Sequence, residues 1–304
     1  MANAPKAEFP GQATTLRAFL CLETFISVFD DDMRTRNLLI RTYVEKPPVL
    51  WIVAGQSNAV GSCRPPYESA AYCGQFWYWY NGAGELRPLK DPTCGVSANA
   101  QLQGSAWPAF ARQFFELTGR KVAILNVACG GSAVTNISSN TWYGSDDSNP
   151  LRITAATQYA AMTTSLGTVS EDYVLGGMLW IQGEAECTQV GTGTLSVSDY
   201  VNGTLDVFRF FRELTDDNDM QIYMSQIGYT RAVKTDSVTR LGYQRVQDAQ
   251  TSICKQNENI HMAFEGAKYF LDASLMYDDI HYSQHGYNIL GKAFARCVAK
   301  TQNF

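Results

Sequence analysis

The sequence predicts a doubly wound parallel α/β sandwich, and three observations carry that expectation. Val49–Ala54 is a short apolar run without alternation, written like a strand buried on both faces of a parallel sheet. Five such runs alternate with five segments of helical periodicity, the order that right-handed β–α–β crossovers generate. The first run ends abruptly at Gly55-Gln56-Ser57-Asn58, and ligands on such sheets bind just beyond the strands' carboxyl ends.

With 304 residues, the chain is long enough for one large α/β domain, which often reaches about 250 residues, or for two ordinary ones. At that size roughly three quarters of the unfolded surface is buried, so the core needs no staples. Apolar residues make up 45% and charged residues 17%, an ordinary globular balance. The net charge of −5 argues against nucleic acid or an anionic membrane as the main partner. No apolar run approaches the roughly 20 residues that span a bilayer. The nearest, Phe19–Phe29, contains Glu23, runs into Asp30-Asp31-Asp32, and lacks both a basic lead and a cleavage site. Neither an anchor nor a signal peptide is expected, although a mature secreted or virion-carried protein would read the same way. The eight cysteines are scattered without a C-x-x-C pair and read mostly as buried thiols. Cys63, Cys73 and Cys94, in a loop-rich stretch, leave one disulfide open.

Taken in order, residues 1–12 are polar with Pro5 and Pro10, and 14–46 carry apolar positions on both sides of the acidic break. Arg41–Val44 alternates like a strand before Pro47-Pro48 ends the segment. Residues 1–47 therefore read as an N-terminal appendage packing on the main domain, 48–304, or on another subunit. A homo-oligomer or larger assembly stays open. Val49–Ala54 is the first strand. The stretch from about 60 to 103 is irregular, rich in Gly, Pro, Cys and aromatics, and too aromatic to be disordered. Within it Phe76–Tyr80 reads as an extra strand with half-buried rings, or else as a platform for sugar faces.

Trp107–Leu117 has helical periodicity and stops at Gly119; Val122–Val127 is the next buried strand, entering Cys129-Gly130-Gly131-Ser132. A helix over 152–166 precedes a strand at Gly177–Ile181, which enters Gln182-Gly183-Glu184. Then come a helix over Tyr200–Leu214, a strand at Gln221–Gln226 and a helix over Leu241–Gln256. A strand at Ile260–Phe264 and an amphipathic helix over Ser283–Ala299 close the chain.

Nucleophilic catalysis by serine needs a base for its proton and an acid to orient that base. Three histidines are available. His261 lies inside a strand and reads as structural, whereas Asp278-x-x-His281 follows the last strand on the same rim as Ser57. Taken singly, Gly55 and Ser57 could be a turn and an N-cap, and Asp278 and His281 a surface loop. His281 and His285 at i, i+4, with Asp278 or Asp279, also offer zinc-ligand types. The H-E-x-x-H glutamate is missing and a helix start falls between them, so neither metal nor other cofactor is expected.

Acyl transfer also needs oxyanion donors, and three candidates end strands: the N–H groups of Ser57 and Gly131 and the Gln182 side chain. A two-carboxylate glycosidase built on Glu184 and Asp278 would leave Ser57 and His281 without work. A binding or adhesion module on an inactivated hydrolase scaffold is the third reading, against which the intact Ser57, Asp278 and His281 speak. Neither G-x-S-x-G nor a phosphate-binding loop occurs, and Gly191-x-Gly193 has no strand directly before it.

In combination, Gly55-Gln56-Ser57-Asn58, Gly130-Gly131-Ser132, Trp180-Ile181-Gln182-Gly183-Glu184 and Asp278-x-x-His281 resemble the ordered blocks of the SGNH hydrolases. The nearest branch is the sialate O-acetylesterase and acetylxylan esterase type, similar to carbohydrate esterase family 6. The resemblance covers about residues 48–300 and implies a flavodoxin-like three-layer α/β/α sandwich on a five-stranded parallel sheet. It implies Ser57 as nucleophile, His281 as base, Asp278 as its orienter, and an oxyanion hole from Ser57, Gly131 and Gln182. The implied activity is cofactor-independent removal of O-acetyl groups from a polysaccharide or a sialic-acid-type sugar, with Gln56, Asn58, Glu184 and Trp142 as candidate substrate contacts. Gln182 stands where the wider superfamily has Asn, and Trp142 follows an Asn/Ser-rich insertion that displaces it from its usual place. Residues 1–47 match nothing in the family.

Overall fold

Val49, Trp51 and Val53 face one side of the first strand, Leu50, Ile52 and Ala54 the other, and all six are fully buried. That explains a run without polar alternation: both faces are covered. The computed structural model describes residues 46–63, 76–80, 83–93, 95, 103–169, 173–302 and 304. The expectations for residues 1–45, including the strand at Arg41–Val44, and those for Cys73 and Cys94 lie outside the described residues.

Around β1 (Val49–Gly55) the other strands are β2 (Phe76–Tyr80), β3 (Glu85–Pro88), β4 (Val122–Asn126), β5 (Val174–Ile181), β6 (Ile222–Ser225) and β7 (Ile260–Phe264). The helices are α1 (Ser57–Val60), α2 (Trp107–Thr118), α3 (Pro150–Val169), α4 (Cys187–Thr192), α5 (Val197–Thr215), α6 (Ser237–Gln256) and α7 (Gln284–Thr301). The sheet order is β3-β2-β4-β1-β5-β6-β7. One core lies between the sheet and α3, α4, α5 and α6, the other between the sheet and α2 and α7, giving three layers.

Among the described residues the sheet has seven strands rather than the expected five. The block β4-β1-β5-β6-β7 is the predicted parallel set. β2 extends it in parallel beside β4, and β3 closes the edge antiparallel to β2. Phe76–Tyr80 is thus the extra strand: Trp79 enters one core and Tyr78 the other, at 2% and 5% exposure. β3, with the sequence Glu-Leu-Arg-Pro, has no apolar pattern to announce it; charge and proline are what an exposed edge strand carries.

β1 pairs with β4 on one side and β5 on the other, so the chain reverses its direction of winding across β1. The crevice beyond the end of β1 is the switch point where α/β sheets bind ligands. The loops after β1, β4, β5 and β7 converge on that rim. Among the described residues, no helix is long and apolar enough to cross a membrane.

Candidate active site

Gly55 ends β1 at a φ of +128°, and a Cβ there would lie 2.0 Å from the Ile181 carbonyl oxygen. Only glycine allows β1 and β5 to close up at this point. Gln56 is extended and donates its N–H to Ile181 O at 3.0 Å, and Ser57 opens the single turn of α1. The Gly55 carbonyl accepts from Cys129 N and from Ser132 Oγ, each at 3.0 Å, which fastens the loop after β4 to the Ser57 turn. Gly131 sits in that loop at a φ of +68°, a left-handed conformation that glycine adopts without strain. Neither the Ser57 nor the Gly131 N–H has a backbone acceptor among the described residues, and both residues line the cleft.

After β7 the chain forms a tight loop, closed by an antiparallel bridge between Met276 and Tyr282 and by Tyr277 N–H donating to His281 O at 2.8 Å. Asp278 Oδ1 accepts the N–H groups of Ile280 and His281 at 2.9 and 2.7 Å, while Oδ2 lies 2.7 Å from His281 Nδ1. Burial works to raise the Asp278 pKa, but these hydrogen bonds outweigh it and hold the carboxyl below the usual range. An ionised Asp278 can only accept, so the His281 proton is assigned to Nδ1. That leaves the Nε2 lone pair facing Ser57 Oγ, 3.0 Å away. Ser57, His281 and Asp278 are therefore brought into one chain. His285 is exposed in the first turn of α7, past the Ser283 cap, and His261 Nε2 pairs with Gln221 Oε1 at 2.7 Å within the sheet.

Above this chain lies a cleft of about 630 Å³ lined by Gln56, Ser57, Gly131, Glu184 and His281, among others. Gln56 is held by its Oε1, which accepts Ala185 N–H at 3.2 Å. Glu184 lines the cleft although it is nearly buried: one carboxyl oxygen accepts from Asn58 Nδ2 at 2.7 Å and the other has no partner among the described residues. Burial raises its pKa, against the pull of Asn58.

Three expected contacts are placed differently. Asn58 is 1% exposed and spends its amide on Glu184 Oε1, Ile280 O and the Tyr287 hydroxyl, inside the protein. Trp142 is fully buried against Phe211, its indole N–H donating to Ser132 Oγ at 3.2 Å, so it belongs to the core. Gln182 is also fully buried: Nε2 donates to Ser132 O at 3.2 Å and to Glu186 Oε2 at 3.0 Å, occupying both amide hydrogens. It is not among the residues lining the cleft, whereas Ser57 and Gly131 are. Glu186 and Tyr287 are the partners that sequence reasoning missed. Tyr287 is buried on the inner face of α7, and nothing in the sequence sets it apart from its core neighbours there.

The family described as carbohydrate esterase, sialic acid-specific acetylesterase (SASA) matches residues 47–300. Among solved structures, an Arabidopsis thaliana protein superposes with a TM-score of 0.61 at 14% identity, covering 84% of this chain and 99% of that one. NanS gives 0.60 at 16% identity, covering 84% and 98%. A carbohydrate acetylesterase from Xanthomonas citri gives 0.52 at 17% identity, covering 84% of this chain and 57% of that one. At these identities the likeness establishes the fold. No curated protein sequence matches the chain. Since the family match spans every strand and both loops of the serine–histidine cleft, the chain belongs to the SASA family of carbohydrate esterases and is a carboxylic ester hydrolase.

Proposed function

We propose that the protein removes O-acetyl groups from a carbohydrate by a Ser57–His281–Asp278 triad and an acetyl-serine intermediate. The observation that carries this reading is the unbroken chain from Ser57 Oγ to His281 Nε2 at 3.0 Å and from His281 Nδ1 to Asp278 Oδ2 at 2.7 Å. Ser57 Oγ attacks the acetyl carbonyl as His281 Nε2 takes its proton. The oxyanion is met by the N–H groups of Ser57 and Gly131. Collapse of the tetrahedral adduct expels the sugar oxygen, which receives the proton from His281. Water, activated by the same nitrogen, then releases acetate and restores Ser57. Asp278 keeps the proton on Nδ1 throughout and stabilises the imidazolium that forms twice in each cycle.

The test is hydrolysis of p-nitrophenyl acetate by the wild type and by Ser57→Ala, followed by acetate release from acetylated glycans. Turnover that vanishes in the variant supports the assignment; equal turnover in both proteins removes Ser57 from the nucleophile role. Glu184 and Asp278 as a glycosidase pair find no support, because Asp278 is committed to His281 and two backbone N–H groups.

A further inference from the structure

A second cleft, of about 530 Å³, lies between the 133–149 loop and the first turns of α5, and it shares no lining residue with the first. We propose that it is a saccharide-binding subsite that holds an uncharged stretch of the glycan chain while the acetyl group sits at Ser57. The proposal deepens the esterase reading, on which its link to turnover rests.

The Asn/Ser-rich insertion builds this cleft, and it is rigid. Ala133 bridges Thr141, whose hydroxyl donates to Thr135 O at 2.7 Å. Asn149 Nδ2 donates to the Thr141 and Tyr143 carbonyls at 2.9 and 2.8 Å. Arg152, its side chain only 1% exposed, donates to Trp142 O at 2.8 Å and pairs with Asp146 and Asp206. A wall fixed in this way loses little entropy when a ligand docks.

What the wall offers is unspent. Thr135 lines the cleft at 5% exposure, and its hydroxyl has no hydrogen-bond partner among the described residues. A buried unpartnered hydroxyl is costly unless something completes it. Asn136 and Asn202 line the same cleft and are exposed. Tyr143 contributes a ring 55% exposed, a flat apolar surface with a polar edge. Amides and hydroxyls around an aromatic face match a sugar ring, which presents hydroxyls at its rim and C–H groups on its faces.

Charge narrows the class. Arg152 and Arg209 beside the cleft are engaged by Asp146, Asp206 and Glu213, and Asp199 adds a further carboxylate to the wall. An anionic sugar would be repelled by the net negative charge there, whereas a neutral one would not. Reach is adequate: Gly131 in the first cleft and Thr135 in the second are four residues apart, at most roughly 14 Å of chain. Both residues lie in the one loop that leaves the carboxyl end of β4.

The test uses the full chain carrying Ser57→Ala, so that binding is read without turnover. Calorimetry is run with oligosaccharides of xylose, glucose, mannose and N-acetylglucosamine, and with a sialic acid oligomer. Binding of an uncharged oligosaccharide is expected; adding Tyr143→Ala should weaken it about tenfold, and adding Asn136→Ala with Asn202→Ala likewise. In otherwise wild-type protein, those three changes should leave p-nitrophenyl acetate hydrolysis unaltered, because they lie outside the catalytic cleft. The proposal falls if no uncharged oligosaccharide binds, if binding survives the substitutions, or if only the sialic acid oligomer binds. Aryl-ester turnover that is indifferent to Ser57→Ala would instead sink the esterase mechanism, with the binding comparison still readable.

Discussion

Asn58 Nδ2 lies 2.7 Å from Glu184 Oε1, so the residue after Ser57 is tied to a buried carboxyl group in the loop after β5. The same amide nitrogen is 3.3 Å from Ile280 O, next to His281, and its oxygen accepts from the Tyr287 hydroxyl at 2.8 Å. One side chain thereby joins the serine turn, the histidine loop and the last helix.

Asn58→Ala should therefore damage geometry and stability together. Glu184 would be left buried without its donor, and leaving a buried polar group unsatisfied costs about 1–3 kcal/mol, more when it is charged. Loss of the Ile280 tether should lower kcat on p-nitrophenyl acetate by roughly 10-fold or more with little change in KM, since a small misplacement of reacting groups is expensive. Glu184→Gln keeps an oxygen for Asn58 and should retain most of the activity. A fully active Asn58→Ala enzyme would remove the tether from consideration.

Gln182→Ala discriminates between two roles for one residue. A true oxyanion donor costs about 10²–10³ in kcat when it is removed. Here both amide hydrogens are already taken by Ser132 O and Glu186 Oε2. The expected result is a lower melting temperature, with less than about tenfold loss of kcat per folded molecule. A drop in the full donor range would mean that Gln182 turns to meet the substrate.

Much of this could be read before any coordinates. β7 has the predicted bounds, and α2 and β4 differ from theirs by one residue at the carboxyl end, because buried runs and Gly stops are local signals. α7 starts one residue later, with Ser283 as its cap. β3 and the short α4 were not legible: a four-residue edge and a six-residue helix owe their existence to neighbours rather than to periodicity. In the site, spacing revealed the residue types but not which hydrogens were already spent. Gln182, Asn58 and Trp142 are chemically able to touch a substrate, and each is turned inward by a partner far away in sequence.

Glu186 makes stability depend on pH. Burial pushes its carboxyl up to about 7, although Gln182 and Val134 N–H oppose the shift. A folded pKa above the unfolded one means that the native state holds a proton which the unfolded state has released. Stability therefore falls as pH rises from the ordinary carboxylate range to about 7, by on the order of 3 kcal/mol for this group. Asp91, also pushed up to about 7 by burial, adds to the same trend. Glu186→Gln should flatten the dependence of melting temperature on pH across that window. An unchanged slope would show that Glu186 is already ionised in the native protein.

Asp278→Asn isolates the orienting role, because it changes charge and not shape. The amide oxygen can keep the Ile280 and His281 N–H groups that Asp278 Oδ1 now accepts at 2.9 and 2.7 Å. The amide N–H₂ then faces His281 Nδ1, which must become an acceptor, so the ring proton moves to Nε2 and points at Ser57. In that tautomer Nε2 cannot take the serine proton. The corresponding change in a serine protease costs about 10⁴ in kcat, and a loss of that order is expected here on p-nitrophenyl acetate, with the fold retained. Stability carries a second signature. The folded pKa of Asp278 lies below its unfolded value, so its contribution is present above the ordinary aspartate range and is lost as pH falls through the folded value. The stability gap between wild type and Asp278→Asn should accordingly shrink on acidification. A variant that keeps near wild-type turnover, or a gap that widens at low pH, would mean that Asp278 is not the ionised partner of His281.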